Sequence, residues 1–459
     1  MNPTIFRQYD IRGHVGEDLT DETVELIARG IGTYLARSGV TSVALGRDVR
    51  LSSPGFARAA TRGFVATGLH VVDVGIVPTP VLYYAIEKLG AGGGLMITGS
   101  HNPVEYNGLK ICKGSLAIYG EEIQTIRRLV EAGDFESGNG SAEEKDILAT
   151  YEAELGGAFH FARRFKVVVD CGNGVMGPVV PRILRAFGHE VNELYCEPDG
   201  RFPNHLPDPE VPAYMADLMR TVTSTGADLG LGFDGDGDRV GLIDETGRKI
   251  SADWLVAVFA RDLLDRYPGG KVRYDVKCSD FLDGFIRRHG GEPVMGRTGH
   301  SILKQDMKEM DAILGGELSG HIVFGRDWHL IDDSLYSALE VMALMEKSDC
   351  KCSGLFQEIP ETFSTAEIKV PVPESEKFGV VDRLTADFKK RGFDVVTIDG
   401  ARVKTPDGWG LVRASNTTAN LTVRLEAATP DGLETLKDLF LEVLGAYEFL
   451  DLSRLQEAS

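Results

Sequence analysis

The sequence predicts an α/β protein of several layered units that ends in a smaller α+β unit. Three observations carry this. First, one pattern recurs along the chain: an apolar strand, a polar loop, then a helix. Val43 to Leu45 runs into Gly46-Arg47-Asp48. Phe165 to Val169 runs into Asp170-Cys171-Gly172-Asn173-Gly174. Lys271 to Val276 runs into Lys277-Cys278-Ser279, with a helix expected near Asp280 to His289. Strands alternating with helices in this way indicate α/β layers, with function at the loops that follow the strands. Second, the last hundred or so residues change rhythm. Strands are expected at Glu367 to Val370, Asp394 to Ile398, Leu411 to Ala414 and Leu421 to Ala427, with helices around Glu376 to Lys389 and Asp431 to Leu444. Third, 459 residues are enough for about three or four cores.

Breaks fall near Gly138 to Lys145, which is rich in Gly, Ser and Glu, near Thr246 to Asp253 and near Gln357 to Thr365. They divide the chain into residues 1–145, 146–248, 249–360 and 361–459. A hydrophobic content of 43% can supply each unit with a core. No run of about 18 apolar residues appears, and Met1 to Gly13 carries Arg7, Asp10 and Arg12 without a signal-peptide core, so a soluble cytoplasmic protein is expected. The six cysteines lack the spacing of a disulfide framework, and Cys350-Lys351-Cys352 is too tight for a zinc knuckle. A net charge of −20 argues against nucleic acid and anionic membranes as partners. It also requires that any anionic substrate meet a locally basic pocket.

Two stretches carry chemistry. Thr98-Gly99-Ser100-His101-Asn102-Pro103 places a serine hydroxyl on a polar loop directly after the apolar strand Gly94 to Ile97. Asp234-Gly235-Asp236-Gly237-Asp238-Arg239 sets three carboxylates two residues apart between the expected strands Asp228 to Phe233 and Val240 to Asp244. Carboxylates so close repel unless a cation neutralises them, and an all-oxygen set favours magnesium or calcium over zinc. An EF-hand loop is excluded: its sixth position needs glycine and holds Arg239 here, and the flanks read as strands. Ser100 alone would read as a turn or cap residue; beside a metal-seeking cluster it reads as a phosphoryl carrier.

Gly172-Asn173-Gly174-Val175-Met176-Gly177 matches a dinucleotide-binding fingerprint with Glu193 at about the right distance. Nothing else supports nicotinamide chemistry, so the run reads as tight packing of a helix on a strand. Walker-type phosphate loops are absent. Arg413-Ala414-Ser415-Asn416-Thr417-Thr418 joins a guanidinium, hydroxyls and an amide between two strands of the last unit, with Arg424 on the next strand, a mixture suited to phosphate. Gly316-Glu317-Leu318-Ser319-Gly320-His321 follows the apolar Ala312 to Leu314; its carboxylate and hydroxyl could both bond neighbouring sugar hydroxyls.

With these motifs in order, and with Phe6 to Gly13, Tyr106-Asn107-Gly108-Leu109-Lys110 and Arg297-Thr298-Gly299-His300-Ser301 also in place, the whole chain resembles the α-D-phosphohexomutase superfamily, within it the bacterial phosphomannomutase/phosphoglucomutase branch. The resemblance implies a heart-shaped arrangement of four domains around a cleft, three related α/β domains and a last α+β domain like the TATA-binding protein. It implies that Ser100 carries a phosphoryl group, and that Asp234, Asp236 and Asp238 hold magnesium together with an oxygen on Ser100. His101, Arg12, Lys110, Arg239, His300 and His321 would line the transfer site. Glu317 and Ser319 would meet sugar hydroxyls, with His321 beside them. Tyr9, Lys277, Arg413, Ser415, Asn416 and Thr417, with Arg424, would hold the distal phosphate.

The reaction so implied converts hexose 6-phosphate and hexose 1-phosphate reversibly, through glucose 1,6-bisphosphate or mannose 1,6-bisphosphate. Lys110, His300 and His321 are all candidates to move the hydroxyl proton. Gly99 and the Tyr9 to Gly13 run argue against a phosphoglucosamine mutase; a sugar-phosphate phosphatase remains the other alternative. Ala419 stands where the family often has proline, and Leu318 where it often has methionine. Partners are expected to be small hexose phosphates, with the chain a monomer or else a dimer.

Overall fold

The computed structural model describes residues 1–415 and 418–457, and in them the chain forms four sheets in sequence order. The first has seven strands: β1 (Ile11–His14), β2 (Ser42–Arg47), β3 (His70–Ile76), β4 (Gly93–Ile97), β5 (Tyr106–Lys113), β6 (Leu116–Ala117) and β7 (Ser141–Glu144). They lie in the order β1-β5-β4-β2-β3-β7, with β6 paired to β5. Because side chains alternate across a strand, β2, β3 and β4 serve two cores. Val43, Leu45, Val71 and Leu95 pack with the helices Asp21–Arg37 and Ser53–Ala66, while Ala44, Val72 and Met96 pack with the helix Thr79–Lys88.

The second sheet contains β8 (Lys166–Asp170), β9 (Glu190–Leu194), β10 (Leu229–Phe233), β11 (Val240–Asp244) and β12 (Lys249–Ile250), in the order β12-β11-β10-β8-β9. The third contains β13 (Lys271–Asp275), β14 (Glu292–Gly296), β15 (Leu314–Gly316) and β16 (Ile322–Phe324), in the order β14-β13-β15-β16. One apolar cluster runs from the Thr79–Lys88 face of the first sheet through the second and third.

These three sheets repeat one device. A strand that is parallel to its inner neighbour ends in a short loop, and the chain returns antiparallel beside it. The pairs are β4 with β5, β10 with β11, and β15 with β16, closing at Ile97↔Leu109, Phe233↔Val240 and Gly316↔Ile322. The loops so formed are the serine loop, the aspartate loop and the Glu317-Ser319 loop.

The fourth sheet differs. It contains β17 (Phe363–Ser364), β18 (Ile368–Pro371), β19 (Asp394–Val396), β20 (Ala401–Lys404), β21 (Gly408–Ala414) and β22 (Asn420–Ala427), all antiparallel to their partners. The helices Lys377–Lys390 and Pro430–Leu444 cover it, and its core is separate. The sequence places a strand to Ile398, whereas β19 stops at Val396 before a turn through Gly400, and β20 goes unanticipated. The reason for the latter is Arg402, a fully buried charge that breaks the apolar alternation of β20. Its guanidinium donates to the carbonyls of Val276 and Cys278 (2.7 and 3.0 Å), pairs with Asp280 and lies over Trp409, tying the fourth sheet to the third. Cys350 and Cys352 are free thiols, as are the other four cysteines. Among the described residues, no helix is long and apolar enough to cross a membrane.

Candidate active site

The serine loop is held in an unusual shape by buried charge. Ser100 has φ 47°, a left-handed conformation that costs a non-glycine residue energy and persists only where the surroundings enforce it. Arg50, 1% exposed, enforces it by donating to the carbonyls of Ser100 (2.9 Å), Asn102 (2.5 Å), Pro103 (2.7 Å) and Tyr106 (2.8 Å). Asp48 offsets that cation at 3.3 Å and accepts the Gly99 N–H at 3.1 Å. With its backbone so fixed, the buried Ser100 Oγ donates to Asp234 Oδ2 at 2.9 Å and lies 3.0 Å from His101 Nδ1. Burial, then Arg239 and Arg12, holds His101 well below its ordinary pKa, so its ring is neutral.

The aspartate loop crosses directly over this point: a Cβ on Gly235 would lie 2.4 Å from the Ser100 carbonyl oxygen, so only glycine fits. Asp234 Oδ1 accepts the N–H groups of Gly237, Asp238 and Arg239 at 3.0 to 3.2 Å, which curls the loop inward. Asp236 Oδ2 accepts from Thr79 Oγ1 and Lys110 Nζ, both at 2.6 Å, and Lys110 also reaches Asp238 Oδ2 at 2.6 Å. Burial and the two neighbouring carboxylates push Asp234 up. Burial opposes the charge on Asp236 and Asp238 as well, but Lys110, with Thr79 at the first and His321 and Arg239 at the second, holds both below the usual range. The three aspartates present ligand oxygens within 4.8 Å of one another, and Asp236 Oδ1 and Asp238 Oδ1 are buried without a hydrogen-bond partner. Orphaned anionic oxygens converging in this way fit a hard divalent cation. The run Gly172 to Gly177 backs onto this loop, with the Val175 N–H donating to the Gly235 carbonyl at 3.3 Å; its glycines are packing residues, though against loops rather than a strand.

Around this centre lie the other residues expected at the transfer site. Arg12 pairs with Asp10 at 2.6 Å and donates to Asn102 of the serine loop at 2.7 Å. His300 and His321 stack with ring centres 5.1 Å apart. Asp332 Oδ2 lies 3.1 Å from His321 Nδ1 and 3.4 Å from His300 Nδ1, while its Oδ1 accepts from Lys304 at 2.8 Å. Arg239 Nε donates to His321 Nε2 at 3.0 Å, so His321 carries its proton on Nδ1 and its lone pair on Nε2. Burial depresses His300 to about 4, despite Asp332.

The second group of expected residues gathers across the cleft. Glu317, buried, accepts the Gly299 N–H at 2.5 Å and the Ser319 hydroxyl at 3.4 Å. Tyr9 donates to the Thr298 carbonyl at 2.8 Å, and the Thr298 N–H donates to Asp399 at 3.0 Å. Asp399 also receives Arg413 through Nε (3.1 Å) and Nη2 (3.0 Å). Lys277 lies 2.5 Å from Glu367. Ser415 Oγ accepts from the Thr418 N–H at 3.1 Å. Arg424 meets Glu426 at 3.3 Å and borders a cavity of about 500 Å³ that Ser319, Gly320 and Glu367 also line. Asn416 and Thr417 lie outside the described residues.

The structure adds residues that the motifs do not mark: Asp48, Arg50 and Thr79 behind the serine and aspartate loops, Asp332 behind the histidines, and Glu367 and Asp399 against the cations. Asp48 ends the Gly46-Arg47-Asp48 loop that the strand pattern marked; the others had no sequence signal.

A serine hydrogen-bonded to one of three clustered aspartates, with cations on both sides and further cations near the last sheet, forms the candidate site. The chain belongs to the phosphoglucomutase/phosphomannomutase family. The models for its alpha/beta/alpha domains I, II and III match residues 3–137, 152–247 and 251–363, and the C-terminal domain model matches 367–443. Its reaction class is that of an isomerase acting by phosphoryl transfer. A phosphomannomutase/phosphoglucomutase of Pseudomonas aeruginosa is 46% identical over 445 residues, covering 97% of this chain and 96% of that protein. A phosphoglucomutase of Neisseria meningitidis is 42% identical over 96% of each chain. A solved phosphoglucomutase/phosphomannomutase family protein from Burkholderia thailandensis, 39% identical, superimposes with a TM-score of 0.92 over 98% of both chains.

Proposed function

We propose that this chain interconverts the 6-phosphates and 1-phosphates of glucose and mannose, with Ser100 carrying the transferred phosphoryl group. The observation that supports this best is the Ser100 hydroxyl itself. It is buried and aimed by a left-handed backbone at Asp234, 2.9 Å away in a cation-seeking cluster. A turn serine would bond only its own loop, whereas Ser100 also reaches out of it to Asp234.

Asp234, Asp236 and Asp238 would hold magnesium together with an oxygen of phosphorylated Ser100; when bound, it neutralises phosphoryl charge. Arg12, Arg239, Lys110 and His101 surround the transferring group and stabilise its equatorial oxygens. Phosphoserine gives its phosphoryl group to the free hydroxyl of the bound sugar phosphate. His321 takes the hydroxyl proton on Nε2 once Arg239, which donates to that nitrogen here, turns to the phosphoryl group; its Nδ1 is committed to Asp332, and His300 supports it as a neutral neighbour. Glu317 and Ser319 bond the sugar hydroxyls. Tyr9, Lys277, Arg413, Ser415 and Arg424, with Asn416 and Thr417, hold the phosphate that is not transferred. The resulting 1,6-bisphosphate turns end for end, and its other phosphate returns to Ser100. Small hexose phosphates are the partners, with no nucleic acid or membrane involved. We place the protein in the cytoplasm, as a monomer or a dimer.

Coupled assays with glucose 1-phosphate and mannose 1-phosphate on one preparation test the reading. Formation of both 6-phosphates supports it. Release of inorganic phosphate without isomer would replace it with a phosphatase.

A further inference from the structure

The cations expected to hold the untransferred phosphate already have carboxylate partners. Arg413 has Asp399, Arg424 has Glu426, and Lys277 has Glu367 at 2.5 Å. These carboxylates differ in how they are fixed. Asp399 is anchored by the Thr298 N–H, and Glu426 by Ser279 and Trp409. Glu367 stands just before β18, on the segment that enters the fourth sheet, with 24% of its side chain exposed along the 500 Å³ cavity. It is close enough to Lys277, Arg413 and Arg424 for all three charges to act on it. Burial opposes its ionisation, but Lys277 together with Arg413 and Arg424 outweighs burial and keeps it ionised at neutral pH.

An entering phosphate must therefore displace Glu367 from Lys277, and a departing phosphate hands Lys277 back. We propose that Glu367 is a built-in competitor for the substrate's phosphate, loosening the clamp so that the bisphosphorylated sugar can let go, turn and rebind. The proposal rests on the mutase reading above. In that cycle the clamp must release one end of the intermediate and capture the other in every turnover. Charge-assisted hydrogen bonds to phosphate are among the strong ones, so several uncompensated cations would hold the dianion too long. A buried cation left with only the more distant Asp275, 4.0 Å away, is costly, which would raise the barrier to release further. With Glu367 returning as phosphate leaves, release becomes an exchange of partners. Without it, tighter ground-state binding would lower KM and bring no gain in kcat.

Glu367→Gln keeps the shape of the side chain and removes its charge. Full-length protein is titrated calorimetrically with inorganic phosphate, and steady-state kinetics with glucose 1-phosphate are run in parallel. Phosphate should bind the variant about tenfold more tightly, the low end of couplings between close charge pairs. KM should fall together with kcat, and less bisphosphate should escape into solution per turnover. Unchanged or weakened phosphate affinity would overturn the proposal, because Glu367 would then merely hold Lys277 in place. If the glutamine variant does not fold, Glu367→Asp withdraws the charge by one methylene, and the same rise in phosphate affinity is expected. The titration does not depend on isomerisation. A wild type that binds phosphate yet interconverts no sugar phosphates therefore refutes the mutase reading and leaves the counter-ion claim to be decided by the variant.

Discussion

The two poles of the cleft solve opposite electrostatic problems. At the serine pole, three buried aspartates converge with two oxygens unpartnered, and Lys110 spans the gap between them. At the phosphate pole, Lys277, Arg413 and Arg424 each stand against a carboxylate. The first pole is short of positive charge, and the second holds its positive charge in check. They are also built differently. The serine pole is made of hairpin loops from sheets that share one core, whereas the phosphate pole draws on a fourth sheet with a core of its own. The serine pole is therefore suited to fixing a reacting group, and the phosphate pole to binding and releasing one.

The sharpest way to break this contrast is Ser100→Ala. If the serine pole owes its geometry to a covalent carrier, turnover should drop by at least about four orders of magnitude, as when other covalent nucleophiles are removed. Intact-mass measurement should find a phosphate adduct on the wild type and none on the variant, and the fold should survive. Near-normal activity would remove Ser100 from the chemistry.

Withdrawing the cation comes next. Chelator should inactivate the wild type and magnesium should restore it. Asp236→Asn should lower metal affinity and turnover together, by about a hundredfold, because one of three charges that attract the cation is gone. Full activity in excess chelator would show that Lys110 alone suffices to neutralise the cluster.

Between the poles, Glu317→Ala tests whether one contact serves both sugars. Glucose and mannose differ only at carbon 2, so wild-type efficiencies should agree within about an order of magnitude, and the variant should depress both reactions by similar factors. A loss confined to one sugar would mean that another residue reads carbon 2.

The smallest effect concerns protons. Burial lowers His300 from 6.5 to about 4, so the folded protein refuses a proton that the unfolded chain accepts. The stability this gives is complete above pH 6.5 and is lost as pH falls toward 4. Melting temperature measured across that window should decline less steeply for His300→Gln than for the wild type. Parallel slopes would mean that the ring is charged in the folded state.

Much of this was legible in the sequence. Thr98 to Pro103 and Asp234 to Arg239 are contiguous, and their chemistry follows from neighbours in the chain. The sequence places β4, β10 and β11 within a residue, because strands buried on both faces are plainly apolar, whereas β5 after the serine loop goes unanticipated. What stayed hidden depends on distant partners. Arg50 and Asp332 look like ordinary charges, and only folding brings the first under the carbonyls of residues 100 to 106 and the second behind two histidines. Glu367 and Asp399 gain meaning from Lys277 and Arg413, which lie 90 and 14 residues away in the chain. Arg402 even disguises the strand that carries it.

The repeated hairpins have a consequence for how such a cleft could arise and vary. The three loops are packed tightly: a Cβ on Gly235 would meet the Ser100 carbonyl at 2.4 Å, and one on Gly320 would meet the carbonyl of Val240, where β11 leaves the aspartate loop, at 3.0 Å. This is the arrangement expected if one ancestral unit was copied twice and the copies then divided the labour into carrier, cation holder and sugar reader. Once stacked so closely, no copy can lengthen its loop without pushing another aside. New substrates would have to be accommodated by exchanging side chains at constant loop length, or by the fourth sheet, which stands outside the stack.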